Sequence, residues 1–369
     1  MNQLFRWDQT GLFLLALAAG ILPFAVPEVC DAALREGLTL CSGPLLLSLF
    51  PFLVVSRLLV QCPESDLLAL PFRLAAWGIG IRTPCAARVL CIGFLGGFAP
   101  AASAAAQAVR NGQLTAEEAD ALLPACICSG PSFVVLTVGQ SLLGSAELGV
   151  LLFASQITAN YLTAALLNRF AGVRSVKPGS AAPASPAPPR LDEILADAAI
   201  TYCKLCGFIL FFRMLAAGAG ALLPAGAGAL CSILLEVCSG CDLASRTGRW
   251  GSLLCCAALS VQGLSVLLQV RTICPPEMTL RPLYRSRMLH LPLSLALFYL
   301  LLPGGEADVF STLPARVLLM RRVPPDCALL VFAVCCMAAC TLRSGIRQVE
   351  QKQMARNAGG CCINSKTLL

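Results

Sequence analysis

The sequence predicts an all-α polytopic membrane protein, with about eight transmembrane helices plus two re-entrant hairpins in two inverted repeats. Three observations lead there. Of 369 residues, 57% are hydrophobic and only 13% charged, with a mean hydropathy of +0.77, whereas a soluble domain is about a quarter charged. The apolar residues come in long blocks rather than in amphipathic stripes. The blocks recur in the same order on either side of one Pro/Ala/Ser-rich linker.

The net charge of +7 does not point to nucleic acid, because Lys and Arg stand singly in short gaps between apolar blocks, as in membrane loops. The expected partner is the lipid bilayer, and no nucleic acid. The chain has 21 cysteines and one histidine. Most cysteines, including Cys203, Cys206, Cys255, Cys256, Cys335, Cys336 and Cys340, lie within apolar segments and read as small buried hydrophobes. Cys238-Ser-Gly-Cys241 is a CxxC without a second pair, a weak metal or redox signal. No metal, cofactor or catalytic nucleophile is predicted, and no enzyme.

A span needs about 20 apolar residues. Residues 1–43 form an N-terminal span and loop; "GLFLLALAAGILPFAVPEV" (11–29) follows Arg6 and reads as a retained first span, 11–30, rather than a cleaved signal. Residues 44–170 form repeat A: a span at 44–62, a hairpin at 89–109, a broken helix at 119–143 and a span at 146–168. Residues 171–193 are a linker, with "VKPGSAAPASPAPPRLDE" expected to be extended and cytoplasmic. Residues 194–303 form repeat B: a span at 199–223, a hairpin at 227–246, a broken helix at 249–272 and a span at 286–303. Residues 304–369 hold a loop, a last span at 327–342 and a basic cytoplasmic tail.

The repeat rests on order more than on letters. "PFLVVSRLLV" (51–60) aligns with "GFILFFRMLA" (207–216), with Arg57 and Arg213 in register. A small-residue segment follows each, 91–105 and 231–245, and then a broken one, "CSGPSFVVL" (128–136) and "SVQGLSVLL" (260–268). Hairpins add no crossing, so each half crosses three times and the halves are inverted. That arrangement puts 18 of the 27 Lys and Arg on one side and six on the other, counting 271–287 and 63–88 as loops. The positive-inside rule then places both termini in the cytoplasm.

Irregular backbone at membrane depth is tolerated only against protein or a wet cavity, so both breaks should face inward. A break exposes half-helix N-termini with free N–H donors, suited to carboxylate or phosphate. Pro131 fits a first helical position, with Ser129 near the cap and Gly130 and Ser132 beside it. Gln262 and Gln269, seven apart, should line one cavity, with Gly263 at the break. Gly96, Gly97 and Pro100 form the first hairpin; Glu236, Ser239 and Gly240 form the tip of the second. Isolated small residues more often serve close helix packing, but paired breaks at matching places read as a substrate path. Glu236, an acid at membrane depth, should meet a proton, a cation, a substrate donor or Arg213, or else lie at a wet hairpin mouth. Arg213 lies deeper than Arg57, which is placed to snorkel. His290 reads as a packing or interfacial residue.

"GFLGGFAP", "GQLTAEEADALLPACICSGPSFVVLTVG", "LLEVCSGCDLAS", "ALSVQGLSVLLQV" and "YRSRMLHLP" occur in that order. Together they resemble the sporulation integral membrane proteins of the YlbJ (SpoVV) type. Those carry the nucleoside-recognition or Gate domain, also found in concentrative nucleoside transporters, FeoB and spore maturation proteins. The resemblance covers about residues 38–300. It implies a permease in the cell membrane or outer forespore membrane that moves a small anionic substrate, dipicolinate, during sporulation. Ser129, Gly130, Pro131, Glu236 and Gln269 match the family pattern. Cys238-Ser239-Gly240 stands where Thr-Asn-Gly is usual, Cys128 where Asn or Thr is usual, Val261-Gln262-Gly263 where Trp-Gly-Gly is usual, and Leu268 where His is usual. On this reading Ser129, Ser132 and Arg213 receive the carboxylates, Gln262 and Gln269 orient the ring, and Glu236 couples a proton or gates the hairpin. The alternatives are a nucleoside or metal-ion permease of the same architecture, and a non-transporting spore-envelope assembly protein. A homo-oligomer is left open.

Overall fold

The computed structural model describes residues 9–61, 69–171 and 190–302. All regular elements among them are helical. Helices α1 (Gln9–Ala25) and α2 (Pro27–Ser42) meet at a bend of 109°. Proline restricts the residue before it to extended backbone, and Val26 is accordingly out of the helical region at φ −140°, ψ 63°. The expected first span at 11–30 thus contains a sharp turn at Pro27. Helix α2 carries Asp31, Arg35 and Glu36, with Arg35 bonded to Asp31 one turn earlier at 2.7 Å.

Helix α3 (Pro44–Gln61) comes next, followed by the short α4 (Leu70–Gly78). Helices α5 (Pro84–Gly96) and α6 (Phe98–Arg110) form the first hairpin, turning at Gly97. Helix α6 brings mostly alanine to the core: Ala99, Ala101, Ala102, Ala104, Ala105 and Ala106 are fully buried. Small side chains let the backbones approach, which is how helices associate where no water drives them together. Helix α7 (Ala116–Cys126) opens with a capping box. The Thr115 hydroxyl accepts from the Glu118 N–H, and Glu118 accepts from the Thr115 N–H. Five residues later the chain re-enters helix as a π-helix, Ser132–Leu142, and α8 (Ala146–Ala171) follows.

Helices α9 (Leu191–Leu222), α10 (Ala225–Leu235), α11 (Val237–Ser245), α12 (Gly251–Val261), α13 (Gly263–Ile273) and α14 (Arg281–Leu301) complete the described chain. Helices α10 and α11 form the second hairpin, turning at Glu236, and α12 and α13 are parted at Gln262. Among the described residues three stretches are long and apolar enough to cross a membrane: Ala146–Ala171, Leu191–Leu222 and Gly248–Ile273. The bent α1–α2 pair makes a fourth if it counts as one span. The chain is thus an all-helical protein built for a membrane. The span at 327–342 and the basic tail lie outside the described residues, as does linker 172–189.

Packing crosses between the parts on either side of the linker. Helix α3 lies along α9 and α8 along α14, while α6 packs on α13 and α11 on the π-helix. Two buried polar groups hold these helices, Asn168 within the part before the linker and Asp120 across it. Asn168 of α8 donates to the carbonyls of Ile79 and Ala121 at 2.9 and 3.1 Å. Asp120 of α7 accepts from the Thr279 N–H (2.8 Å), the Thr279 hydroxyl (2.6 Å) and the Leu280 N–H (3.1 Å). It thereby holds Leu280 in its left-handed conformation at the start of α14. Asp120→Ala is expected to lower stability by about 2 kcal/mol, because the buried Leu280 N–H and the two Thr279 donors lose their acceptor. Thermal unfolding in detergent measures it.

Arg88 and Arg287 differ from expectation. The sequence places both in cytoplasmic loops, but both are buried within helices, each 8% exposed. Long stretches around them are helical because Pro84 and Pro282 start α5 and α14 earlier than the apolar blocks suggest.

Candidate binding cleft

Both hairpin turns and both helix breaks come together, because each is held open by the other. At the first crossing, Gly97 has φ +83° and ψ −163°, a region closed to residues with a side chain. A Cβ there would lie 2.6 Å from the Gly130 backbone nitrogen. At the second crossing, Gly263 has φ +69°, and a Cβ would lie 3.0 Å from the backbone of Leu235 and Glu236. Each hairpin turn therefore rests backbone on backbone against a break. The two breaks are in turn joined by Gln262, whose Nε2 donates to the Ile127 carbonyl at 3.1 Å.

Between these crossings lies a small, partly open cleft of about 50 Å³. Its polar lining is Ser129 and Ser132 from the first break, Glu236 from the second hairpin and Gln269 from α13. Gly96, Phe98, Phe133, Val266 and Cys238 add small or apolar surface, with Leu45, Leu49 and Ile209 from α3 and α9. Among the described residues no cationic side chain lines the cleft.

Glu236 is 1% exposed and caps α11. It accepts from the Cys238 N–H at 2.9 Å, the Ser239 N–H at 2.6 Å and the Ser239 hydroxyl at 2.9 Å. A carboxylate at a helix N-terminus is favoured by the free N–H groups and the helix dipole. Its own hairpin supplies these partners, and Arg213, one of the partners considered for it, pairs with Glu36 instead. Gln269 donates from Nε2 to the Ser265 hydroxyl at 2.9 Å, and its Oε1 is buried with no partner.

The structure sorts the remaining predicted residues. Gly96 and Gly130 line the cleft. Pro131 precedes the π-helix at φ −59°, ψ −37°, a helical start as expected. Pro100 packs on Gly96, where an added Cβ would lie 2.9 Å from the proline ring. Gly240 is a packing residue, 2.9 Å at its would-be Cβ from the Ile233 backbone. Ser239 acts through Glu236. Two expectations are corrected. Gln262 does not share the cleft with Gln269: it sits in the break itself, in left-handed backbone at φ 63°, and points at Ile127. Arg213 does not reach the cleft: it pairs with Glu36 of α2 at 2.6 Å. Arg57 likewise serves the scaffold, donating to Thr201 at 3.1 Å and to the Ile194 carbonyl at 3.4 Å on α9. Cys241 packs against α12, where its carbonyl accepts from the Cys255 thiol at 3.4 Å.

A second polar cluster behind the first break has no counterpart in the sequence reading. Asn160 of α8 donates to the Ile127 carbonyl at 3.3 Å and accepts from Arg287 Nη2 at 3.2 Å. Gln156, one turn earlier, donates to the Ser260 hydroxyl at 2.9 Å, and Ser260 bonds Ser294 at 2.5 Å. His290 is fully buried with Nε2 3.2 Å from the Gln156 carbonyl. The signal was available: Gln156 and Asn160 are four apart inside the apolar helix at 146–168, on one face.

Compared with protein-family models, with curated proteins and with solved structures, the chain matches none.

Proposed function

We propose that the chain is a permease for a small solute, and that the solute passes through the cleft between the hairpin turns and the helix breaks. The observation that carries this is their convergence on one partly open cavity with uncommitted polar atoms. Broken helices with sites at the break are a transporter device. On this reading the chain has about eight spans, with α3, α5–α6, α7–π and α8 as one repeat and α9, α10–α11, α12–α13 and α14 as its inverted copy. Both termini are cytoplasmic, and the resemblance to sporulation membrane proteins puts the chain in the cell membrane or outer forespore membrane.

The cleft's charge favours the nucleoside-type reading over a dicarboxylate. Its single ionisable carboxylate is Glu236, Gln269 presents a free carbonyl oxygen, and no Lys or Arg faces them. Such a lining accepts hydrogen bonds from a neutral, ring-bearing solute, with Phe98 and Phe133 as apolar walls. Dipicolinate keeps one supporting feature: the hydroxyls of Ser129 and Ser132 at the start of the π-helix, where N–H groups favour carboxylate. Uptake of labelled uridine, adenosine and dipicolinate into proteoliposomes separates the two. The expected result is nucleoside uptake that drops at least tenfold in the Ser129→Leu, Glu236→Gln double variant. Uptake unchanged in that variant removes the cleft as the path.

A further inference from the structure

We propose that Arg287 is a tethered cation, occupying the place at the first helix break where a broken-helix transporter of this kind would hold a mobile metal cation. The proposal rests on the permease reading for its consequence, which is solute movement independent of sodium. Its structural core stands apart from that reading.

Arg287 is 8% exposed on α14. Its Nη2 donates to Asn160 Oδ1 at 3.2 Å and its Nε to the Ser286 hydroxyl at 3.3 Å, while Nη1 is buried with no partner. Among the described residues no carboxylate lies in ion-pair reach of it, and the three buried acids are committed elsewhere. Glu118 serves the α7 capping box, Asp120 the start of α14 and Glu236 the start of α11. An unpaired buried cation is costly, so something else must compensate it.

What faces it is the C-terminal end of a half-helix. Helix α7 stops at Cys126, and Ile127 is its C-cap. The Ile127 carbonyl is the focus of the cluster, taking the amides of both Asn160 and Gln262. Asn160 links that carbonyl to the guanidinium, turning its amide nitrogen to one and its oxygen to the other. A helix C-terminus carries partial negative charge. In broken-helix transporters, half-helix C-termini and unwound carbonyls are where sodium ions or protons are coordinated. Here a fixed guanidinium stands one side chain away, bridged to the carbonyl by Asn160, so a positive charge is already held beside the break.

The test is thermal unfolding of the full-length protein in detergent. Arg287→Lys is expected to stay within about 2 °C of the parent, and Arg287→Met to fall by about 5 °C or more. The Met variant keeps an unbranched apolar stem and removes the guanidinium, with its charge and its bonds to Asn160 and Ser286. Arg287→Ala should regain part of its loss in millimolar guanidinium chloride or sodium chloride, and none in choline chloride at equal ionic strength. The parent should unfold at the same temperature in sodium and choline salts. Equal Lys and Met variants, a Met variant more stable than the parent, or an Ala variant that no cation restores overturns the proposal. So does a parent stabilised by sodium, or one stabilised by acetate or dipicolinate in an Arg287-dependent way, which makes Arg287 an anion site instead. Proteoliposomes that take up no solute at all would sink the permease reading and leave these unfolding results standing.

Discussion

Gly97→Ala is expected to destabilise the protein by about 3 kcal/mol, adding the cost of a side chain at positive φ to that of overpacking. The added methyl would lie 2.6 Å from the Gly130 nitrogen and 2.9 Å from its Cα. Both are backbone atoms, so no rotamer change relieves the overlap. The hairpin would have to lift off the break, opening the cleft wall at Gly96 and Gly130. The control is built into the molecule: Gly144 has φ +72° with nothing within 4 Å of its would-be Cβ. Gly144→Ala should cost only the conformational part, about 1 kcal/mol. Thermal unfolding of both variants checks this, and equal losses would show that the crossing is not tight. Gly263→Ala tests the second crossing; with contacts at 3.0 Å it should fall between the two.

Glu236→Ala is expected to cost about 3 kcal/mol, because the loss strands two backbone N–H groups and one hydroxyl at a site that is 1% exposed. Glu236→Gln keeps one accepting oxygen but turns an amide N–H toward the other donors, so it should lose roughly half as much. Ser239→Ala removes one of the three bonds and should cost about 1 kcal/mol. The ordering Ala, Gln, then the serine variant is the signature of a cap. Hydrogen exchange gives a local readout: the amides of Cys238 and Ser239 should exchange faster in Glu236→Ala, while those of α7 stay protected. An alanine variant as stable as the parent would show that the carboxylate is held for another purpose.

The places where the chain departs from smooth helix were legible because polar and small residues interrupt apolar blocks there. Ser129-Gly130-Pro131, Gln262-Gly263, Gly96-Gly97 and Glu236 all fall at a turn or a break. What the breaks do to their neighbours was less legible. Gln262 and Gln269 share a face only if the helix is continuous between them, and the left-handed step at Gln262 rotates them apart. The pairing of Arg213 with Glu36 is not legible in the sequence, because residues 31–43 read as a loop and not as the helix that presents Glu36. Arg287 was counted as a loop charge because a cation near an apolar block's edge normally stays in water; its burial depends on Asn160, 127 residues earlier in the chain. The cap on α11 could have been read locally, from an acid followed by Ser239 at the third position of a helix.

The two glycine crossings also divide the cleft's residues into those that can change and those that cannot. Gly97, Gly130 and Gly263 touch main chain, so any replacement disturbs the frame whatever solute is carried. Ser129, Ser132, Cys238 and Gln269 stand on that frame as side chains alone. They form an exchangeable faceplate, whose chemistry can be reset without moving a helix. Swapping Cys238 for a hydroxyl, or Ser132 for a cation, would retune what enters while the supporting masonry of backbone contacts stays put.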